Sequence, residues 1–211
     1  MAQRTDVPVV AGPDRNADVE FLVSNTDVNI VISDDGLQHY RLKRDIEIVL
    51  IDGERQLGNQ RCLPAGPLRE PVSRLAECDF VIVNEQSPQA QYSMKLLAES
   101  AKGLISQELL PLSEWCGREV HAVTGIGNPQ RFFTLLKSLG IIIIEHSFPD
   151  HHAFSQVDVD FGDELPVMMT EKDAVKCKAF AQSFHWVVPV TAKVSGPLFS
   201  ELLEKIIQED A

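Results

Sequence analysis

Apolar residues along the chain gather in short runs separated by polar stretches rich in glycine and proline. The runs Pro8 to Ala11, Ile30 to Ile32, Ile46 to Ile51, Phe80 to Val83, His121 to Thr124, Ile141 to Glu145, Pro166 to Met169 and Trp186 to Val190 are strand-sized and rich in β-branched residues. Several are apolar on both faces, the pattern of parallel strands covered by helices. Between them lie helical spacings. Ala17 to Ser24 carries Val19, Leu22 and Val23, and Gln130 to Ser138 carries Phe132, Phe133, Leu135 and Leu136. Glu171 to Cys177 and Pro197 to Gln208 read as two more helices, and Ser93 to Ile105 also has helical spacing. Pro129 suits a first helical position. Strand and helix alternate twice, which predicts an α/β fold of two lobes with mainly parallel sheets flanked by helices. The boundary is expected between about Pro88 and Gly117.

Composition narrows the class. At 211 residues the chain can bury a sizeable core, and 44% hydrophobic residues are ordinary for a globular protein. No apolar run approaches a membrane span, and Met1 to Arg4 lead into no secretory h-region. Cys62, Cys78, Cys116 and Cys177 form no CxxC pair, which argues against a zinc site or a disulfide framework and fits a reducing cytoplasm. A net charge of -12 disfavours nucleic acid as a partner. The charge is uneven, however. From Arg41 to Arg74 there are seven Lys or Arg against five Asp or Glu, a balance that suits one phosphorylated ligand or a salt-bridged surface.

The candidate chemistry sits at the ends of the runs. Ile30 to Ile32 leads into Asp34-Asp35-Gly36. A buried parallel strand delivering acids at its C-terminal end is one way α/β phosphoryl-transfer enzymes hold Mg2+, a hard cation. An Asp-Asp-Gly turn explains the same residues. Gln38 and His39 follow directly, and His39 could orient a phosphate or cap a turn. The long loop from Gly53 to Pro71 carries Arg55, Arg61, Arg69 and Glu70, a mixture that favours function. Arg69 offers a fork that matches phosphate oxygens, or it forms a surface pair with Glu70. Gly125-Ile126-Gly127-Asn128-Pro129 is a tight turn feeding a helix N-terminus, where anions are favoured, although a plain turn fits equally. Asp150-His151-His152 combines a carboxylate with imidazoles that titrate near neutral pH. Glu171-Lys172-Asp173 opens a helix, where acids complement the dipole and Lys172 could face a phosphate.

Asp34 to Tyr40, Arg44-Asp45, Gly58-Asn59, Leu63 to Pro71, Gly125 to Pro129, Phe148 to His152 and Thr170 to Val175 together resemble the tetraacyldisaccharide 4'-kinase family, in order and over nearly the whole chain. The resemblance implies ATP-dependent phosphorylation of the 4'-hydroxyl of an acylated glucosamine disaccharide 1-phosphate in lipid A biosynthesis. It implies Mg2+ at Asp34 and Asp35, nucleotide contacts from Gln38 and His39, and an active-site region containing Arg69, Glu70, Asp150 and His151. It also implies substrate contacts from Gly125, Gly127, Asn128 and Lys172, with the substrate's 1-phosphate as the natural ligand of the glycine turn. The chain contains no G-x-x-x-x-G-K-[ST] loop. The resemblance places that loop, a catalytic aspartate and a membrane-associating segment upstream of residue 1. On this reading residues 1–90 are the C-terminal part of a P-loop-NTPase-like nucleotide and metal lobe, residues 91–117 connect, and residues 118–211 form a smaller α/β lobe. The expected location is the cytoplasmic, inner face of the inner membrane. The chain alone is expected to be inactive as a kinase; the alternative is a non-catalytic fragment that folds as a substrate-binding lobe.

Overall fold

A computed structural model describes residues 4–85 and 90–209. The chain divides into two compact units, 1–93 with 195–211, and 94–194.

In the first unit, α1 (Arg15–Asn25) begins where the Asp14 carboxylate accepts from the amides of Asn16 and Ala17 at 3.0 and 3.4 Å. Such a cap satisfies amides that have no partner within the helix. Strands β1 (Ile48–Asp52) and β2 (Phe80–Asn84) pair in parallel, with Ile48 opposite Phe80. They open a four-stranded sheet that continues into β3 (Tyr92–Leu97) and β10 (Thr191–Ser195), in the order β1-β2-β3-β10. The unit boundaries fall within β3 and β10. The terminal helix α4 (Leu198–Glu209) belongs to this unit: Glu201 bonds the Tyr92 hydroxyl and Lys205 pairs with Asp79.

The second unit holds a six-stranded sheet in the order β5-β4-β9-β8-β6-β7. Its strands are β4 (Ser100–Gly103), β5 (Leu109–Pro111), β6 (Glu119–Thr124), β7 (Ile142–Ser147), β8 (Val167–Thr170) and β9 (His185–Val188). Strands β7, β6, β8 and β9 are parallel, and β4 runs antiparallel to β9. Side chains alternate across a strand, so β6 and β8 feed two cores. Val120, Ala122 and Met168 pack with Trp115, Trp186 and the Phe132, Phe133 and Leu136 face of α2 (Pro129–Ser138). Val123, Val167 and Met169 pack on the other side with Phe154, Val159 and Ala174 of α3 (Glu171–Cys177).

Several expectations need correction. Pro8 to Ala11 and Ile30 to Ile32 form no strand. Ile32 is 85% exposed. A three-residue apolar run holds a strand only when a neighbour pairs with it, and none of the described strands does so. Ser93 to Ile105 is β3 and β4 rather than a helix. Its Leu, Lys, Ala and Glu residues favour helix locally, but Ala101 and Gly103 are buried alternately in the sheet, and a Cβ on Gly103 would lie 2.1 Å from Ser106 Oγ. The expected connecting segment 91–117 contains β3, β4 and β5. The terminal helix falls in the first unit rather than with 118–211. The expected boundary at Pro88 lies outside the described residues.

Candidate functional site

The first unit assembles a polar cluster from two distant loops. Gln38 is the bridge. Its Nε2 donates to Glu70 Oε1 at 3.0 Å, and its Oε1 accepts from Arg69 NH1 at 3.2 Å. Arg74 holds the other oxygen of Glu70 at 3.3 Å. Three residues expected at the site, Gln38, Arg69 and Glu70, thus meet across more than thirty residues of sequence. They line one pocket of about 230 Å3. A neighbouring pocket of about 390 Å3 is lined by His39, Gln38, Tyr40, Arg41 and Arg15. The Tyr40 phenol is raised from its ordinary value, first by lost solvation and then by the charge and hydrogen bond of Glu70.

Asp34 and Asp35 sit elsewhere than expected. They lie in an exposed turn, not at the end of a buried strand, and Asp35 has a left-handed φ of 51°. Aspartate tolerates that region better than most residues. Among the described residues no group of three or more His, Cys, Asp and Glu side chains is arranged to hold a metal. Two adjacent carboxylates still fit Mg2+, which takes hard oxygen donors and ordinarily completes its shell with water and phosphate.

In the second unit the expected residues converge at the C-terminal edge of the parallel strands. The chain leaves β6 through Gly125, β7 through Phe148 to Asp150, and β8 through Glu171 and Lys172. From β6 the sheet grows to β7 on one side and through β8 to β9 on the other, so the edge between β6 and β8 is a topological switch point, where open α/β sheets bind ligands. Lys172 Nζ bonds Asp150 Oδ1 at 2.8 Å. That bond is the chief cause holding the Asp150 carboxyl below its ordinary value. His151 Nε2 lies 3.6 Å from Asp150 Oδ2, on a residue with φ 62° whose side chain is 81% exposed. A Cβ on Gly127 would come within 3.7 Å of Asp150, and one on Gly125 would press on the Pro149 carbonyl at 3.2 Å and the Phe154 ring at 3.3 Å. Glycine at 125 therefore allows the two loops to approach. Asn128 occupies the cap position of α2 without a side-chain capping bond.

Of the adjacent histidines, His152 is engaged in packing. It stacks on Phe148, meets Phe154 edge-on and bonds Asp158 at 3.4 Å. His151 is the one left facing solvent. The residue that sequence reasoning undervalued is Asp173. It is fully buried and accepts from Thr124 Oγ1, Gly125 N and Thr170 Oγ1 at 3.1, 3.1 and 2.7 Å, and pairs with Lys176 at 3.2 Å. One carboxylate thereby ties the ends of β6 and β8 together. The Thr170-x-x-Asp173 spacing, close to a capping box, was the available signal.

Comparison with known proteins gives a consistent result. The chain is 45% identical over 208 residues to the tetraacyldisaccharide 4'-kinase of Nitrosococcus oceani, covering 99% of the chain and 62% of that protein. It is 47% identical over 209 residues to that of Methylobacillus flagellatus, with 98% and 62% covered. With that of Legionella pneumophila it shares 51% over 195 residues, with 92% and 60% covered. The chain thus spans about three fifths of the length of these relatives. A solved structure, the "apo" form of LpxK from Aquifex aeolicus in complex with ATP, superposes with a TM-score of 0.59 at 27% identity, over 82% of this chain and 55% of that one. The family described as tetraacyldisaccharide-1-P 4'-kinase matches residues 1–208, and the chain belongs to it.

Proposed function

We propose that the protein carrying this chain transfers the γ-phosphoryl group of ATP to the 4'-hydroxyl of a tetraacyldisaccharide 1-phosphate, a step of lipid A biosynthesis. The observation that carries this reading, beside family membership, is the meeting of Gln38, Arg69 and Glu70 next to the His39 pocket. Phosphoryl transfer depends mainly on positioning and on offsetting charge on the phosphoryl oxygens. Arg69 presents a guanidinium fork suited to those oxygens, and Gln38 and Glu70 fix its direction. Asp34 and Asp35 are the residues that would hold Mg2+, which in such sites neutralises charge on the β- and γ-phosphates. In the second unit, the turn of Gly125, Gly127 and Asn128, whose Gly125 amide is held by Asp173, and the Lys172 ammonium beside it form the candidate contact surface for the substrate's 1-phosphate. Asp150 and His151 stand beside them as acid–base groups. The acylated substrate places the reaction at a membrane surface, on the cytoplasmic side where ATP is available. Among the described residues no helix is long and apolar enough to cross a membrane.

The 211 residues contain no G-x-x-x-x-G-K-[ST] loop and span about three fifths of the relatives' length, so the activity is proposed for a protein of the relatives' length, tested as the longest in-frame product. The second reading, a substrate-binding lobe, is favoured by the self-contained core of the second unit and the convergence of Asp150, Lys172 and the glycine turn. The test is transfer of radiolabelled phosphate from ATP to the disaccharide 1-phosphate in detergent. It is run on the longest in-frame product, on its Asp35→Ala variant and on the 211 residues alone. The longer product should be active, Asp35→Ala should lose most activity, and the 211-residue chain should show none while retaining weak lipid binding. An active 211-residue chain would show that a phosphate-binding loop lies within it.

A further inference from the structure

The Arg44-Asp45 motif takes no part in the reading above, yet Arg44 belongs to an ion-pair network that also holds Glu47, Arg74 and Glu70. Its centre is Glu47. The Glu47 carbonyl accepts from the amides of Asp79 and Phe80, both at 3.1 Å, and its own amide donates to Asp79 Oδ2 at 2.6 Å. The main chain at Glu47 is thereby fixed at the start of the β1–β2 pair. Its carboxylate, only 12% exposed, is divided between two arginines: Oε1 to Arg44 Nε at 2.9 Å, and Oε2 to Arg74 NH2 at 2.5 Å.

Each arginine then reaches a different part of the site. Arg44 NH1 donates to the carbonyls of Gly36 and Leu37, at 3.2 and 2.7 Å, immediately after Asp34 and Asp35. Arg74 Nε holds Glu70, which in turn holds Gln38 and through it Arg69. The Asp34-Asp35 turn belongs to no strand, so the Arg44 bonds supply fixing that a sheet would otherwise give.

We propose that Glu47 is a positioning residue which sets the carboxylate turn Asp34-Asp35 and the Gln38–Arg69–Glu70 cluster at a fixed distance from each other, a role that rests on the kinase reading. A guanidinium is a rigid planar fork, so each arginine transmits the place of one Glu47 oxygen to its second partner. Glu47 itself touches no expected ligand. An ordinary structural ion pair would contribute to melting temperature and leave the metal requirement alone. A positioning carboxylate moves the metal requirement and the rate.

The experiment uses the longest in-frame product. Glu47→Gln keeps the side chain's size and removes the charge that gathers both arginines. The expected result is a kcat lower by about ten- to a hundredfold. The Mg2+ concentration for half-maximal rate should rise by about tenfold, with the KM for the disaccharide unchanged. Arg44→Lys keeps the charge but loses the fork to the Gly36 and Leu37 carbonyls, and should shift the Mg2+ requirement in the same direction. An active unmutated product with unchanged kcat and Mg2+ dependence in a folded Glu47→Gln variant overturns the proposal and leaves the kinase reading standing. If Glu47→Gln does not fold, Arg44→Lys decides by the same readout, and failure of both to fold makes the network purely structural and overturns it too. An inactive unmutated product overturns the kinase reading itself, and the proposal with it.

Discussion

The two units hold their chemistry in different ways. In the second, the loops that carry Gly125 and Lys172 leave β6 and β8, parallel strands buried on both faces, the Asp150 loop leaves the partly exposed β7 beside them, and a fully buried Asp173 ties two strand ends together. In the first, α1 has no buried residue, and Phe21, Val23, Ile30, Ile32 and Leu50 are exposed. The site residues there are joined by amide and guanidinium bonds: Arg69 to Gln38, Gln38 to Glu70, Glu70 to Arg74. The contrast teaches that similar groups can be placed by packing or by a polar network. The two differ in what breaks them. Packed placement fails with lost volume or an orphaned buried group, whereas networked placement fails with lost charge or fork geometry.

The sharpest way to break the second unit is at Asp173. Asp173→Ala leaves the Thr124 and Thr170 hydroxyls, the Gly125 amide and the Lys176 ammonium without their acceptor. Each orphaned buried group costs about 1–3 kcal/mol. The variant should lose about 3–5 kcal/mol in denaturant unfolding followed by tryptophan fluorescence. That probe is selective, because both tryptophans, Trp115 and Trp186, lie in the second unit. A loss below about 1 kcal/mol would mean that the buried carboxylate is not what joins the strand ends.

Truncations sharpen the same contrast. Leu136→Ala in the packed core should cost about 2–5 kcal/mol. Phe21→Ala on the exposed face of α1 should cost less than about 0.5 kcal/mol in the 211-residue chain. Equal costs would erase the distinction between the units.

Acid should separate them more gently. Burial pushes the His185 and His146 imidazoles below their ordinary value of about 6.5, with the neighbouring His121 adding to the effect at His146. The unfolded chain then takes up protons before the folded one does. Their contribution to stability is complete above about pH 6.5 and is lost as pH falls below it. Each histidine can contribute a slope of at most about 1.4 kcal/mol per pH unit. In the first unit Asp79 sits below its ordinary 3.8: burial raises it, but bonds from Lys205 and the Glu47 amide lower it more. Its contribution survives to much lower pH. Tryptophan-detected stability should therefore decline between pH 6.5 and 4.5, and His185→Gln should flatten part of that decline.

Much of the second unit was legible in the sequence because its signals are local and strong. Ile141 to Glu145 and Pro166 to Met169 are apolar on both faces, and Gly125 to Pro129 marks a strand end, a turn and a helix start at once. The first unit misled where a local signal lacked a partner: Ile30 to Ile32 has the composition of a strand and no strand beside it. Among site residues, Asp150 and Lys172 stood out by position, and the structure joins them. Asp173 did not, because an acid in a first helical turn reads as a complement to the dipole, and only its burial reveals the other role. Glu47 lies inside the apolar run Ile46 to Ile51, where no local signal marks it; its partners are Arg44, three residues away, and Arg74, twenty-seven residues away.

The smallest expected effect on stability falls at Arg69. It is exposed, and its side-chain bond to Gln38 spans 3.2 Å at the surface. Exposed polar links of this kind contribute little, so Arg69→Lys should change unfolding free energy by less than about 0.5 kcal/mol. Catalysis should respond differently. Lysine is a point charge without the fork, so it can hold Gln38 or a phosphate oxygen but not both in one plane. In the longest in-frame product the variant should lower kcat by about tenfold or more while leaving the KM for ATP within about twofold. Loss of activity at unchanged stability is the signature of networked placement. A variant that unfolds, or one that keeps its full rate, would return Arg69 to the status of a surface residue and leave the first unit's chemistry to Asp34, Asp35 and Glu70.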